Sequence, residues 1–205
     1  MSRVHCPRNL IIGQPGVGKT TLVEHMQARG YLTFDGDLVD GLGIWQDADG
    51  TQTPYQPDRA WRDAHRFSWQ SHRLTQLILQ DLPDDEYRPL YLFGAAPNIE
   101  QHSFWFHNIV ALHADAPIIW SRLKNPARKT PYPFELEPND MPKLQREINK
   151  YHFLTTRCLG YTAIDANRPV PQIADDIIAQ CSIPFSSPRP QPRLVVRELL
   201  SGVEA

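Results

Sequence analysis

Short apolar runs alternate along this chain with longer stretches whose apolar residues recur every three or four positions. NLII (residues 9–12) is the pattern of a short buried strand, and residues 19–29 keep helical spacing until Gly30 stops them. YLTF (31–34), RPLYLFG (88–94), NIVALHA (108–114) and YTAID (161–165) read as further strands. Helical patterns cover residues 58–80, 116–123, 143–158 and 171–181. Strands joined in this way through helices predict an α/β fold, a three-layer sandwich around a mostly parallel five-stranded sheet.

Two segments break the rhythm. Residues 38–57 (LVDGLGIWQDADGTQTPYQP) are irregular, with Asp49-Gly50 as a tight turn. Residues 124–142 (KNPARKTPYPFELEPNDMP) are rich in proline and charge and read as an excursion from the core. Residues 1–183 are expected to form one domain, and 184–205 a proline-rich linker and tail ending in RLVVRELL.

Composition narrows the class further. The 205 residues suit a single domain, and a formal net charge of −2 gives no global pull toward nucleic acid or an anionic membrane. Cys6, Cys158 and Cys181 are far apart, which fits neither a disulfide framework nor a zinc site. No signal-peptide pattern and no long apolar run is present, so a cytoplasmic protein without membrane association is expected.

The densest chemical signal lies between the first strand and the first helix. Gly13, Gln14, Pro15, Gly16, Val17, Gly18, Lys19 and Thr20 fit the phosphate-binding pattern GxxxxGK[ST] at every fixed position, and Thr21 follows. Glycines let main-chain N–H groups turn inward on phosphate oxygens, and the helix adds its positive end. Lys19 can then reach the β- and γ-phosphates, while the Thr20 hydroxyl can ligate Mg²⁺. A plain turn needs neither so many glycines nor a lysine–threonine pair. The expected ligands are ATP and Mg²⁺, and the fold expected is that of a P-loop NTPase.

Other elements decide among P-loop classes. The segment NKYH at Asn149 lacks the aspartate of a guanine-reading motif and lies in a helical pattern. The third strand ends at Gly94, with no carboxylate before Glu100, which argues against a motor ATPase. With its phosphate loop, FDGD at residues 34–37, glycine-ended third strand and arginines near 122–128, the chain resembles the small P-loop kinases. That family includes shikimate, gluconate, adenylylsulfate and nucleotide kinases. The resemblance spans about residues 9–180 and implies an acceptor-binding excursion after the second strand and a lid at about 122–142.

Asp35 and Asp37 stand at the carboxyl end of a strand, the side on which α/β sheets bind ligands. Phosphoryl transfer needs one group to orient or deprotonate the acceptor and others to support the metal. Resemblance to gluconate and adenylylsulfate kinases implies that one aspartate serves each task. Asp37 is favoured for the acceptor and Asp35, with Thr20, for the metal. In a helix over 58–80, Arg59, Arg62, Arg66, Trp69 and Arg73 would share one face within about 80°, a stripe suited to a phosphate-bearing or aromatic acceptor. Arg122 and Arg128 are expected, by the same resemblance, to close over the triphosphate and act in catalysis with Lys19.

The sequence therefore predicts an ATP-dependent phosphotransferase acting on a small acceptor, first a nucleoside or nucleotide. A gluconate-like sugar acid or a hydroxyl on DNA or RNA are the other acceptors in view. A regulatory nucleotide-binding protein is the rival from outside the enzymes, although a pure switch has no need of paired aspartates.

Overall fold

A computed structural model describes residues 7–56, 58–79, 88–128 and 140–182. Most of the expected lid and the whole expected tail, residues 129–139 and 184–205, lie outside these. Five strands form the main sheet: β1 (Arg8–Gly13), β2 (Leu32–Asp35), β6 (Leu90–Phe93), β7 (Asn108–His113) and β8 (Thr162–Asp165). Their order is β2-β6-β1-β7-β8 and every pairing is parallel. The five expected strands fall on these five, with ends shifted by one or two residues.

The central strands are apolar on both faces because helices cover both. On one side Ile11, Phe93, Val110 and Leu112 pack with Leu22, Val23 and Met26 of α1 (Lys19–Ala28) and with Ile173 and Ile177 of α6 (Val170–Cys181). That side also takes Ile119 and Leu123 from α4 (Ala116–Lys124). On the other, Leu10, Ile12, Leu92 and Ala111 pack with Trp69 and with Leu74, Leu77 and Ile78. Alternate residues of β1 thus serve opposite layers, as the two-residue period of a strand requires. The helix α5 (Met141–Phe153) runs into one π-helical turn, Leu154–Cys158, and a 3-10 helix, Ile99–Trp105, leads into β7.

The segment after β2 departs from expectation. In place of one helix over 58–80 stand α2 (Arg59–Asp63), β5 (Arg66–Trp69) and α3 (Ser71–Ile78). β5 pairs antiparallel with β3 (Gly43–Gln46), which also pairs with β4 (Gln52–Thr53), so a second, three-stranded sheet is built. The apolar spacing of residues 60–78 fits a helix, but Phe67 and Trp69 alternate as strand residues do, and pairing with β3 overrides the local pattern. Asp58 caps the short α2 by accepting the Trp61 N–H at 2.7 Å. Gly50, at φ +82°, makes the expected turn between β3 and β4.

Candidate active site

The phosphate loop joins β1 to α1 at the carboxyl edge of the main sheet. Gly16 and Gly18 hold φ of +83° and +110°, a region costly for any residue with a Cβ. A Cβ on Gly16 would also lie 2.9 Å from Leu123 Cγ. Val17 is buried in the core and pins the loop from beneath. The Lys19 ammonium donates to the Gly13 carbonyl at 2.7 Å and the Gln14 carbonyl at 3.3 Å. Burial lowers its pKa; Asp37 and Asp35 oppose that shift, and the charge of Arg128 adds to it.

Asp35 closes β2 and is buried, with both carboxylate oxygens bonded. One accepts the Thr20 hydroxyl at 2.7 Å and the other the Asp37 N–H at 3.1 Å. Asp37 stands exposed on the rim two residues later. Its carboxyl pKa is nevertheless raised, first by desolvation against the surrounding protein and then by Asp35, with Lys19 opposing. The two aspartates thus differ in setting: one is locked to the loop threonine, the other faces the opening.

A cavity of about 540 Å³ brings together Gly16, Lys19, Thr20, Asp35, Asp37, Arg122 and Arg128. Arg122 lies on α4, where its guanidinium donates to the Val17 carbonyl at 2.9 Å and the Ala166 carbonyl at 3.0 Å. It therefore clamps the phosphate loop to the turn after β8. Arg128 is half-buried beyond the end of α4. The cavity wall also includes Glu24, Leu38, Asn125, Val170 and Ile173, none of which the sequence reading singled out. They come from four separate segments, and no local pattern marks them.

The expected basic stripe is not formed. Arg59 opens α2, Arg62 lies in its last turn, and Arg66 begins β5. Arg73 is on α3 and donates to the Asp40 carbonyl at 2.7 Å. Arg66 and Trp69 are three apart on a strand, so they point to opposite faces. Trp69 is 1% exposed and cannot offer a stacking surface. Its ring lies instead under the ends of β2 and β6, where a Cβ on Gly36 or Gly94 would come within 2.8 and 2.6 Å of Trp69 Cζ2. Five other rings cluster on the small sheet and α2: Trp45 has centroids of Tyr55, Trp61 and Phe67 within 5.7 Å, and His65 stacks on Trp61 at 3.9 Å.

The loop fits a Mg-nucleoside triphosphate on its own geometry. Its glycines supply the positive φ values that the tight loop needs, the lysine is held at the loop, and the Thr20 hydroxyl that lines the cavity is bonded to a buried carboxylate. No protein-family model matches the sequence, and a search of curated proteins gives no match. Kinases are among the solved structures similar to this chain. A gluconokinase from Sinorhizobium meliloti 1021 is 14% identical at a TM-score of 0.47, over 87% of this chain and 93% of that one. A shikimate kinase from Acinetobacter baumannii, in complex with shikimate, is 16% identical at 0.49, over 85% and 92%. The Deinococcus radiodurans tunicamycin resistance protein is 17% identical at 0.49, over 89% and 99%. At such identities the chain's own loop and carboxylates must carry any functional reading. Among the described residues no helix is long and apolar enough to cross a membrane.

Proposed function

We propose that the protein is a kinase that transfers the γ-phosphoryl group of Mg-ATP to a hydroxyl of a small acceptor. The observation that carries this reading is the buried Asp35 carboxylate, which accepts the metal-side Thr20 hydroxyl at 2.7 Å and the main-chain N–H of Asp37 at 3.1 Å, and so fixes the backbone that presents the Asp37 carboxylate at the rim of the same cavity. A nucleotide-binding switch has use for the first two residues but not for a second carboxylate with a raised pKa at the opening.

Bound Mg²⁺ would supply charge neutralisation on the phosphate oxygens. The residues divide the rest. Main-chain N–H groups of Gly16 to Thr20 and the Lys19 ammonium hold the phosphates, and Lys19 leaves its loop carbonyls to do so. Thr20 and Asp35 hold the metal side. Asp37 accepts the acceptor's hydroxyl proton as the new P–O bond forms and the bond from the γ-phosphorus to the β–γ bridging oxygen breaks, leaving ADP and a phosphorylated acceptor. Arg128, on the cavity wall, adds positive charge where it develops in the transition state. Arg122 acts through its hold on Val17 and Ala166.

The arginines expected to greet a phosphorylated acceptor are dispersed, so a neutral hydroxyl compound is the first class to try. The rings of Trp45, Tyr55 and Trp61 on the excursion pack on one another and do not line the cavity, so the choice between a nucleoside and a sugar acid falls to the assay. The test is ATP consumption with nucleosides, nucleotides, gluconate, shikimate and short oligonucleotides. Stimulation by one class identifies reaction and acceptor together. Magnesium-dependent ATP binding with no stimulation by any of them would overturn the kinase reading in favour of a regulatory protein.

A further inference from the structure

The ring of Trp69 belongs to the small sheet, yet its far edge lies under the main one. Gly36 sits between the two aspartates and Gly94 follows β6, and the two residues abut. The Gly36 N–H donates to the Phe93 carbonyl at 2.6 Å, and the Gly94 N–H to the Ile11 carbonyl at 3.0 Å. A Cβ on Gly94 would stand 2.6 Å from Trp69 Cζ2, 3.1 Å from Cη2 and 3.6 Å from Gly36 Cα. One benzo edge therefore fills a hollow left by the glycines that directly follow two neighbouring strands.

Trp69 is also fixed from behind. The Asn98 side chain accepts from the Trp69 N–H at 3.0 Å and donates to its carbonyl at 2.9 Å. The next residue, Gln70, donates its N–H to the Leu42 carbonyl at 2.8 Å. The indole Nε1 is buried without a hydrogen-bond partner. Stranding an N–H in this way is unfavourable, and a phenylalanine would fill core volume without it. What phenylalanine lacks is the reach of the second ring to both glycines.

We infer that Trp69 is a positioning residue for the Asp35–Asp37 turn, setting the height of that turn against the phosphate loop through its contacts with Gly36 and Gly94. It touches no substrate in this role, because its ring lies beneath the backbone. The glycine that ends β6 then has a cause: a carboxylate-bearing residue there would collide with the indole. Any shift of β5 in the small sheet is passed to Asp37 through one rigid ring. The inference rests on the kinase reading for its catalytic consequence, but its geometry can be tested without catalysis.

The test is complementarity between position 69 and position 94, read in a double-mutant cycle. Gly94→Ala and Trp69→Phe should each lower kcat about tenfold, since small misplacements of a reacting group cost that much or more, with ATP KM unchanged. Gly94→Ala in the Trp69→Phe background should cost little, because the shorter ring leaves room for the methyl group. Crystal structures of the variants give the readout free of activity: the main chain of Asp35–Asp37 should be displaced against the phosphate loop in both single variants. An unmoved turn with unchanged kcat in folded Trp69→Phe overturns the inference. If Trp69→Phe does not fold, Asn98→Ala, which releases the backbone of Trp69, takes the same readouts with the same expected and overturning results. Absence of transfer to every acceptor, with the turn still displaced, would sink the kinase reading and leave this one standing.

Discussion

The phosphate-loop half of the candidate site and the half proposed to take the acceptor are built by different means. Around β1 and α1 the geometry is local: glycines at φ +83° and +110°, a lysine bonded to carbonyls five and six residues back, and a valine in the core. Beyond β2 it is assembled from afar, by β3 against β5, by Trp69 under Gly36 and Gly94, and by Asn98 holding Trp69 across 29 residues. Local construction leaves a motif in the sequence. Distant construction leaves only residue types.

The contrast predicts which lesions stay on one side. Lys19→Ala should reduce transfer by about 10³-fold, because it removes the cation that meets the transferred group, while thermal unfolding stays near that of the native protein. Transfer within a few-fold of native in that variant would break the assignment of the phosphate half. Asp37→Asn should lower kcat by about 10²-fold, the scale of a lost general base, with ATP affinity kept. A parallel loss of ATP affinity, measured by calorimetry, would move Asp37 to the metal side.

Gly43→Ala probes the acceptor half alone. Its Cβ would meet the Phe67 ring at 2.5 Å, so that ring or the small sheet beneath it must shift. The acceptor KM should rise about tenfold, on the order of a pocket contact, with ATP KM unchanged; equal changes in both would mean that the two halves are not separable.

The smallest effects concern pH. Because the folded protein raises the Asp37 pKa, kcat should fall on acidification at a pH above the ordinary carboxylate value, and Asp37→Asn should abolish that limb. The same shift carries a stability cost: the folded state holds the proton more tightly, so stability declines as pH rises from about 4 through the raised value. Asp37→Asn should therefore match or slightly exceed the native Tm at neutral pH, and a clear loss would contradict the direction of the shift.

What could be read in advance follows the same division. The main strands were legible because apolar runs such as LIIG and LYLF are short, bounded and buried on both faces. The phosphate loop was legible because few other tasks demand that set of residues. The segment from Arg59 to Ile78 was misread because its apolar positions suit a helix, and only the partner strand 20 or so residues earlier decides otherwise. Trp69 had the right type and the wrong location: its ring fits against glycines that directly follow two other strands. Arg122, expected near the phosphates, lines the cavity beside the loop, and its bonds to the Val17 and Ala166 carbonyls join segments that no local pattern connects.

The bonds from Lys19 to Gly13 and Gln14 have one more implication. A cradle whose cation is tethered by its own backbone is already curved before any nucleotide arrives. Under the kinase reading, capture then begins as an exchange of partners by a single flexible side chain.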